Sequence, residues 1–86
     1  MNGKRWNGKG KELNHDNGKL IFEGEYLNGK RNGKGKEYDN SHGELIFDGE
    51  YLNGKRWNGK GKEYDFYWKL KFEGEYLNGK RIKKGN

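Results

Sequence analysis

Side chains able to do chemistry are few in kind in this 86-residue chain. There is no Cys and no Thr, and Ser41 is the single Ser. A thiol nucleophile, a Cys-ligated metal and a disulfide framework are therefore excluded. His15 and His42 stand in comparable loops, but neither has a Cys, His or carboxylate cluster at metal-ligand spacing, so both read as solvated loop residues. Carboxylates are plentiful, yet each has a Lys neighbour that favours its charged form, which argues against a raised pKa for acid–base work. Gly3-x-x-x-x-Gly8-Lys9-Gly10 and Gly54-x-x-x-x-Gly59-Lys60-Gly61 come close to a phosphate-binding loop. Gly takes the place of the Mg²⁺-binding hydroxyl, however, and no helix follows to offer its N-terminus. The expectation is no enzyme, no cofactor, no metal and no small-molecule substrate.

What must position these residues is a repeat. Phe22, Phe47 and Phe72 recur every 25 residues, heading the stretches FEGEYLNGKR, FDGEYLNGKR and FEGEYLNGKR. The chain divides into a partial repeat over 2–21, repeats over 22–46 and 47–71, and a partial repeat over 72–86, all in one domain of residues 1–86. Hydrophobic content is only 28 %, with a net charge of +6, a balance that usually means disorder. The fixed spacing of the apolar residues argues for a fold instead. Gly interrupts any helical run, while Leu20–Leu27 alternates like a strand between the turn dipeptides Asn17-Gly18 and Asn28-Gly29. A second strand is expected over Gly33–Tyr38.

Charge fixes the expected register. Pairing Glu25 with Lys34 and Glu23 with Lys36 also sets Ile21 beside Tyr38, Tyr26 beside Gly33 and Phe22 beside Glu37. The same rule puts Lys9 and Lys11 opposite Glu25 and Glu23, and Leu13 opposite Ile21. It puts Lys34 and Lys36 opposite Glu50 and Asp48, and Tyr38 opposite Ile46. Lys60 and Lys62 then lie between Glu50/Asp48 on one side and Glu75/Glu73 on the other. The predicted fold is all-β: a single-layer antiparallel meander of successive hairpins, elongated and twisted, with about six strands. One face carries the Glu/Lys rows. The other carries Phe22, Phe47 and Phe72 beside a row of glycines on which the rings can lie.

These motifs resemble the MORN repeat (membrane occupation and recognition nexus). The resemblance rests on Phe22-x-Gly24-x-Tyr26, Asn28-Gly29 and Gly33-x-Gly35. It rests equally on Phe47-x-Gly49-x-Tyr51, Asn53-Gly54 and Gly59-x-Gly61, and on Phe72-x-Gly74-x-Tyr76 with Asn78-Gly79. It covers nearly the whole chain. It implies an elongated sheet of hairpins acting as a scaffold, a partner-binding module or a membrane-association module. The chain departs from the family pattern after Gly-x-Gly, where Glu37/Asp39 and Glu63/Asp65 replace aromatics and Tyr38 and Tyr64 fall between them. Trp6 and Trp57 lengthen two turns, and Ile82-Lys83-Lys84 replaces the last Gly-x-Gly.

The functional expectation is a non-catalytic scaffold or protein-interaction module. Its aromatic–glycine face, with Phe22, Tyr26, Phe47, Tyr51, Phe72 and Tyr76, would meet a partner or a second copy of the chain. The loop Asp65–Leu70 is anomalous, being a residue shorter than its counterparts, free of Gly and aromatic at three consecutive positions. It offers either anchors, Tyr67 and Trp68, or rings that fold back on the sheet. The alternative reading is peripheral binding to acidic phospholipid through Lys30, Arg31, Lys55, Arg56, Lys80 and Arg81, joined by Lys4-Arg5. A third is a repeat fragment of a larger protein, or a consensus-like chain without function of its own. The interleaved acidic residues argue against nucleic acid. With no apolar run behind Met1, a cytoplasmic protein, peripheral to any membrane it meets, is expected.

Overall fold

The computed structural model describes residues 7–83. Lys4-Arg5, Trp6 and most of the first turn therefore lie outside the described residues. Seven strands follow one another in chain order as neighbours in one antiparallel sheet: β1 (Gly8–Leu13), β2 (Leu20–Leu27), β3 (Lys30–Tyr38), β4 (Leu45–Leu52), β5 (Lys55–Tyr64), β6 (Leu70–Leu77) and β7 (Lys80–Lys83). The expected count of about six is corrected to seven, because Lys80–Lys83 pairs with Gly74–Leu77 even without Gly-x-Gly. The sheet is a slab of 45 × 30 × 15 Å.

Each hairpin turns on two residues. Asn28-Gly29, Asn53-Gly54 and Asn78-Gly79 all have positive φ at both positions, from 50° to 86°. That is the geometry whose twist matches the flanking strands, and Asn-Gly adopts it at least cost. So tight a turn forces Leu27 opposite Lys30, Leu52 opposite Lys55 and Leu77 opposite Lys80.

This corrects part of the expected register. Glu23 does face Lys36 and Phe22 faces Glu37, but Tyr26 faces Arg31 rather than Gly33. The mismatch is absorbed by a bulge of Asn32, Gly33 and Lys34. Gly33 bends there at φ 95°, and a Cβ on it would run into the Glu25 carboxylate. The Glu25 carboxylate accepts the Lys34 backbone N–H at 3.0 Å. Between β4 and β5 the slip is two residues: Lys60 faces Asp48, and Glu50 faces Asn58, whose amide donates to it at 3.2 Å. Because the slip is even, no side chain changes face. At the loop ends, Leu13 meets Leu20 and Tyr38 meets Leu45, each one residue away from the expected partner. The pairings of Lys9, Lys11, Lys34, Lys36, Lys60 and Lys62 with β2, β4 and β6 stand as expected.

The core is the aromatic face itself. Phe22, Phe47, Tyr51 and Tyr76 are buried, with Tyr26 and Phe72 packed against them. Successive rings meet edge to face at centroid distances of 5.1–5.8 Å. They lie directly on the glycine row. A Cβ on Gly35 would come within 2.7 Å of the Phe22 ring, and one on Gly61 within 2.7 Å of Tyr76.

Candidate functional site

The feature with the most chemistry on this sheet was not foreseen. It is a Glu–Tyr–Arg set drawn from three successive strands and repeated three times. Glu12 on β1 accepts the Tyr26 hydroxyl at 2.5 Å and two N–H groups of Arg31, at 3.0 and 2.7 Å. Glu37 on β3 accepts the Tyr51 hydroxyl at 2.8 Å and Arg56 Nε at 3.1 Å. Glu63 on β5 accepts the Tyr76 hydroxyl at 2.5 Å and Arg81 at 2.6 Å. Each guanidinium also lies over a ring of the core: Arg31 at 4.2 Å from the Phe22 centroid, Arg56 at 5.0 Å from Phe47 and Arg81 at 5.4 Å from Phe72. The signal was present as a recurring Glu, Tyr and Arg at nearly constant spacing. It becomes meaningful only once β1–β2–β3 are known to bring the three to one point.

Electrostatics follow from that packing. The Arg31 hydrogen bonds hold the Glu12 carboxyl below the usual carboxylate range; burial opposes them and the Tyr26 hydroxyl assists. Burial, reinforced by the carboxylates they donate to, pushes the Tyr26, Tyr51 and Tyr76 phenols up. The Glu12 carboxylate is thus ionised and the three phenols are neutral at physiological pH. That state binds the three strands of each set together.

The expected partner surface is placed differently by this arrangement. Phe22, Phe47, Tyr51 and Tyr76 are enclosed, and Tyr26 and Phe72 are half-buried, beneath an outer layer of Arg and Glu. A molecule approaching that face meets guanidinium and carboxylate rather than open rings. The basic pairs divide as well. Arg31 and Arg56 fold inward, with side chains 22 % and 17 % exposed, while Arg81 is 56 % exposed. Arg31 and Arg56 are thus engaged with carboxylates of the sheet, Arg31 with Glu12 and Glu37 and Arg56 with Glu37. Lys30, Lys55 and Lys80 are exposed. They stand on the opposite face, each beside an exposed leucine of the neighbouring strand: Leu27 (50 %), Leu52 (39 %) and Leu77 (52 %).

A second repeated device ties hairpin to hairpin. The amide oxygens of Asn7, Asn32 and Asn58 accept the backbone N–H of Asn28, Asn53 and Asn78, at 2.7, 3.0 and 3.0 Å. At the other end of the sheet the loops open on an Asx turn, in which a side-chain oxygen of Asn14, Asp39 or Asp65 accepts backbone N–H groups two to four residues on.

The aromatic loop divides. Trp68 folds back, and its ring lies between those of His42 and Tyr64, 3.8 Å from each and nearly parallel to both. It is a packed residue rather than a free anchor. Phe66 and Tyr67 project outward, 93 % and 78 % exposed. Asp39, Ser41 and His42 share a loop but form no nucleophile–base relay. His42 Nδ1 is 3.0 Å from Asp39 Oδ2, while the Ser41 hydroxyl donates to Asn40 at 3.4 Å. No cluster of three metal-ligating side chains occurs among the described residues, and none of their elements is a helix able to cross a membrane. His15 is an exposed loop residue.

Compared with known proteins, the chain matches no family model, no curated protein and no solved structure.

Proposed function

We propose that this chain is a non-catalytic interaction module of MORN-type hairpins, and that it meets a protein partner through the edge where its turns lie. The observation that carries the reading is the ridge of Leu27, Leu52 and Leu77. These three apolar side chains are exposed in register, two strands apart, along the turn end of the sheet; Leu13, Leu45 and Leu70 are exposed at its other end. Strands about 4.8 Å apart put successive leucines roughly 10 Å from one another. A row of that spacing suits an extended segment or a helix laid across the strands. Phe66 and Tyr67 add a second exposed apolar point at the opposite end. Against catalysis stand the carboxylates and phenols of the aromatic face, which are engaged with one another. Replacing Leu52 with Glu places a charge at the centre of the ridge without touching the core. Proteins retained by the wild-type chain in affinity capture are expected to be lost with Leu52→Glu while its melting temperature is kept. An unchanged set of retained proteins would reject the ridge.

A second reading is favoured by the lysine opposite each leucine. Lys30, Lys55 and Lys80 beside Leu27, Leu52 and Leu77 give an amphipathic edge suited to an acidic phospholipid surface, each lysine contributing about 1 kcal/mol. Co-sedimentation with phosphoinositide vesicles at low salt, lost in Lys30→Glu/Lys55→Glu/Lys80→Glu, is its test. No co-sedimentation of the wild-type chain would dispose of it.

A further inference from the structure

Asn-Gly suits the tight turns of this sheet, but it is also the least durable dipeptide in the chain. Asparagine is a thermolabile residue, and a glycine after it has no side chain to screen its backbone nitrogen. Asn53-Gly54 and Asn78-Gly79 are exposed to water. Among the described residues, no hydrogen bond holds the side-chain amide of Asn53 or Asn78. Both turns thus carry a free side-chain carbonyl next to a glycine nitrogen.

The fold withholds that nitrogen. Gly54 N–H donates to the Arg31 carbonyl at 2.8 Å, and Gly79 N–H donates to the Trp57 carbonyl at 2.9 Å. The neighbouring Asn53 and Asn78 N–H groups are held by the Asn32 and Asn58 side chains. Both amides of each turn are therefore clamped by two consecutive residues of the strand before its hairpin, Arg31-Asn32 on β3 and Trp57-Asn58 on β5. The second turn has a further cover. A Cβ on Gly79 would stand 2.9 Å from the Trp57 ring, whereas one on Gly54 would meet nothing within 4 Å. Trp57, an added residue in its turn, thus shields the turn of the next hairpin. Asn17-Gly18 is closed within its own loop, where Gly18 N–H donates to the Asn14 carbonyl at 2.8 Å.

We infer that Asn53 and Asn78 are latent sites of spontaneous deamidation, shut by the docking of each turn on the strand before its hairpin. When a turn undocks, hydroxide takes the proton of the glycine N–H. That nitrogen attacks Cγ of the asparagine, the N–Cγ bond forms, the Cγ–Nδ2 bond breaks, and ammonia leaves with a proton from water. Water then opens the cyclic imide. Addition at Cγ gives aspartate, and addition at the backbone carbonyl gives isoaspartate, whose chain runs through the former side chain. Isoaspartate puts one more carbon into the backbone between Tyr51 and Arg56, or between Tyr76 and Arg81. A two-residue turn has no place for it. Arg56 or Arg81 would then be drawn off the ring it covers. A turn that opens for long enough to react is thereby kept open, so a transient undocking becomes permanent. This goes beyond the interaction reading and does not depend on the leucine ridge.

Peptide mapping by mass spectrometry, with isoaspartate methyltransferase labelling, tests it on the full chain incubated in mildly alkaline buffer. Asn53 and Asn78 are expected to react about tenfold or more slowly in the native chain than in urea, because reaction waits on local opening. Asn32→Ala should speed reaction at Asn53 roughly threefold to tenfold, as loss of one hydrogen bond does to an open population, and leave Asn78 alone. Asn58→Ala and Trp57→Ala should do the reverse, speeding Asn78 and leaving Asn53 alone. Asn32→Asp keeps an acceptor oxygen and should react at Asn53 as the wild type does. Should Asn32→Ala lose the fold, seen as both sites reaching the urea rate, Asn32→Ser takes its place with the same expectation. Equal rates in the native chain and in urea would overturn the inference. So would folded variants that speed neither site, or both alike.

Discussion

The guanidinium of Arg31 lies 4.2 Å above the ring of Phe22 while its N–H groups hold both oxygens of Glu12. Cation–π attraction and a two-pronged ion pair thus act on one planar group, which an ammonium could not reproduce. The arrangement solves the problem of a single-layer sheet. Phe22 has glycines beneath it and a charged lid above, so it is buried without a second layer of secondary structure.

Removing the lid should show its worth. Arg56→Ala takes the plane from Phe47 and a donor from both Glu37 and the Tyr76 hydroxyl. A loss of about 1–3 kcal/mol is expected in urea unfolding, because a partly buried carboxylate is left short of a partner. Arg56→Lys should recover only part of that. Full recovery would mean that charge alone matters.

Acid should weaken the fold through the same sets. The Glu12 carboxyl is held low by Arg31 in the folded chain, so its contribution is complete above the unfolded pKa of about 4.3 and fades as pH falls through the lower folded value. Stability measured against pH should therefore drop on that limb. Glu12→Gln should be less stable than wild type at neutral pH and converge with it in acid.

Alkali should act through the phenols. Tyr26, Tyr51 and Tyr76 are raised by burial and by the carboxylates beside them. Their contribution is present below the unfolded value of about 10 and is lost as pH rises toward the folded values. Tyrosinate absorbance of these three should appear together with unfolding rather than before it. Ionisation of all six tyrosines in one ordinary phenol titration, with the sheet intact, would contradict this.

Gly24 admits no side chain. A Cβ there would stand 2.5 Å from the Lys34 carbonyl oxygen and 2.6 Å from Gly35 Cα, both backbone atoms of the paired strand. Gly24→Ala should destabilise by about 1–3 kcal/mol or more, as overpacking does, read as a fall in the urea midpoint.

Trp68 takes φ 63°, where the equivalent loops have Gly18 at 72° and Gly43 at 73°. Its stacking on His42 and Tyr64 offsets a backbone cost that glycine would not incur. Trp68→Gly should therefore lower the melting temperature less than Trp68→Ala, whereas Phe66→Ser, on a fully projecting ring, should leave it unchanged.

These features were unequally legible in the sequence. Strand identity, meander order and the pairing of Lys11 with Glu23 or Lys62 with Glu73 follow from alternation and charge, because a one-residue slip would turn every side chain over. The bulge at Asn32–Lys34 was hidden. A two-residue Asn-Gly turn and the glycine-to-glycine register ask for different strand lengths, and charge matching sees only the second. The inward fold of Arg31 was hidden for a related reason. Beside Lys30 it reads as a charged turn, yet the turn is so short that it is already a strand residue facing Tyr26. Of the aromatic loop, Trp68 was the part that reasoning from single residues could not place, since its partners His42 and Tyr64 belong to a neighbouring loop and strand.

Each Glu–Tyr–Arg set crosses the boundary that a count from phenylalanine to phenylalanine would draw. Tyr26 and Arg31 draw on a carboxylate that precedes Phe22, and Glu37 serves the hairpin that follows. Growth or shortening of such a chain is in phase only by whole periods. The permitted slack lies outside the interval from Tyr to Arg. From Tyr to Arg the interval is the same in all three sets, but from Glu to Tyr it is 14 residues twice and 13 across the short loop at Asp65–Leu70. Insertions and new loop sequences therefore have room at the Asx-turn end of the hairpins. At the Asn-Gly end, a single added residue between Tyr and Arg would strand a guanidinium away from its ring.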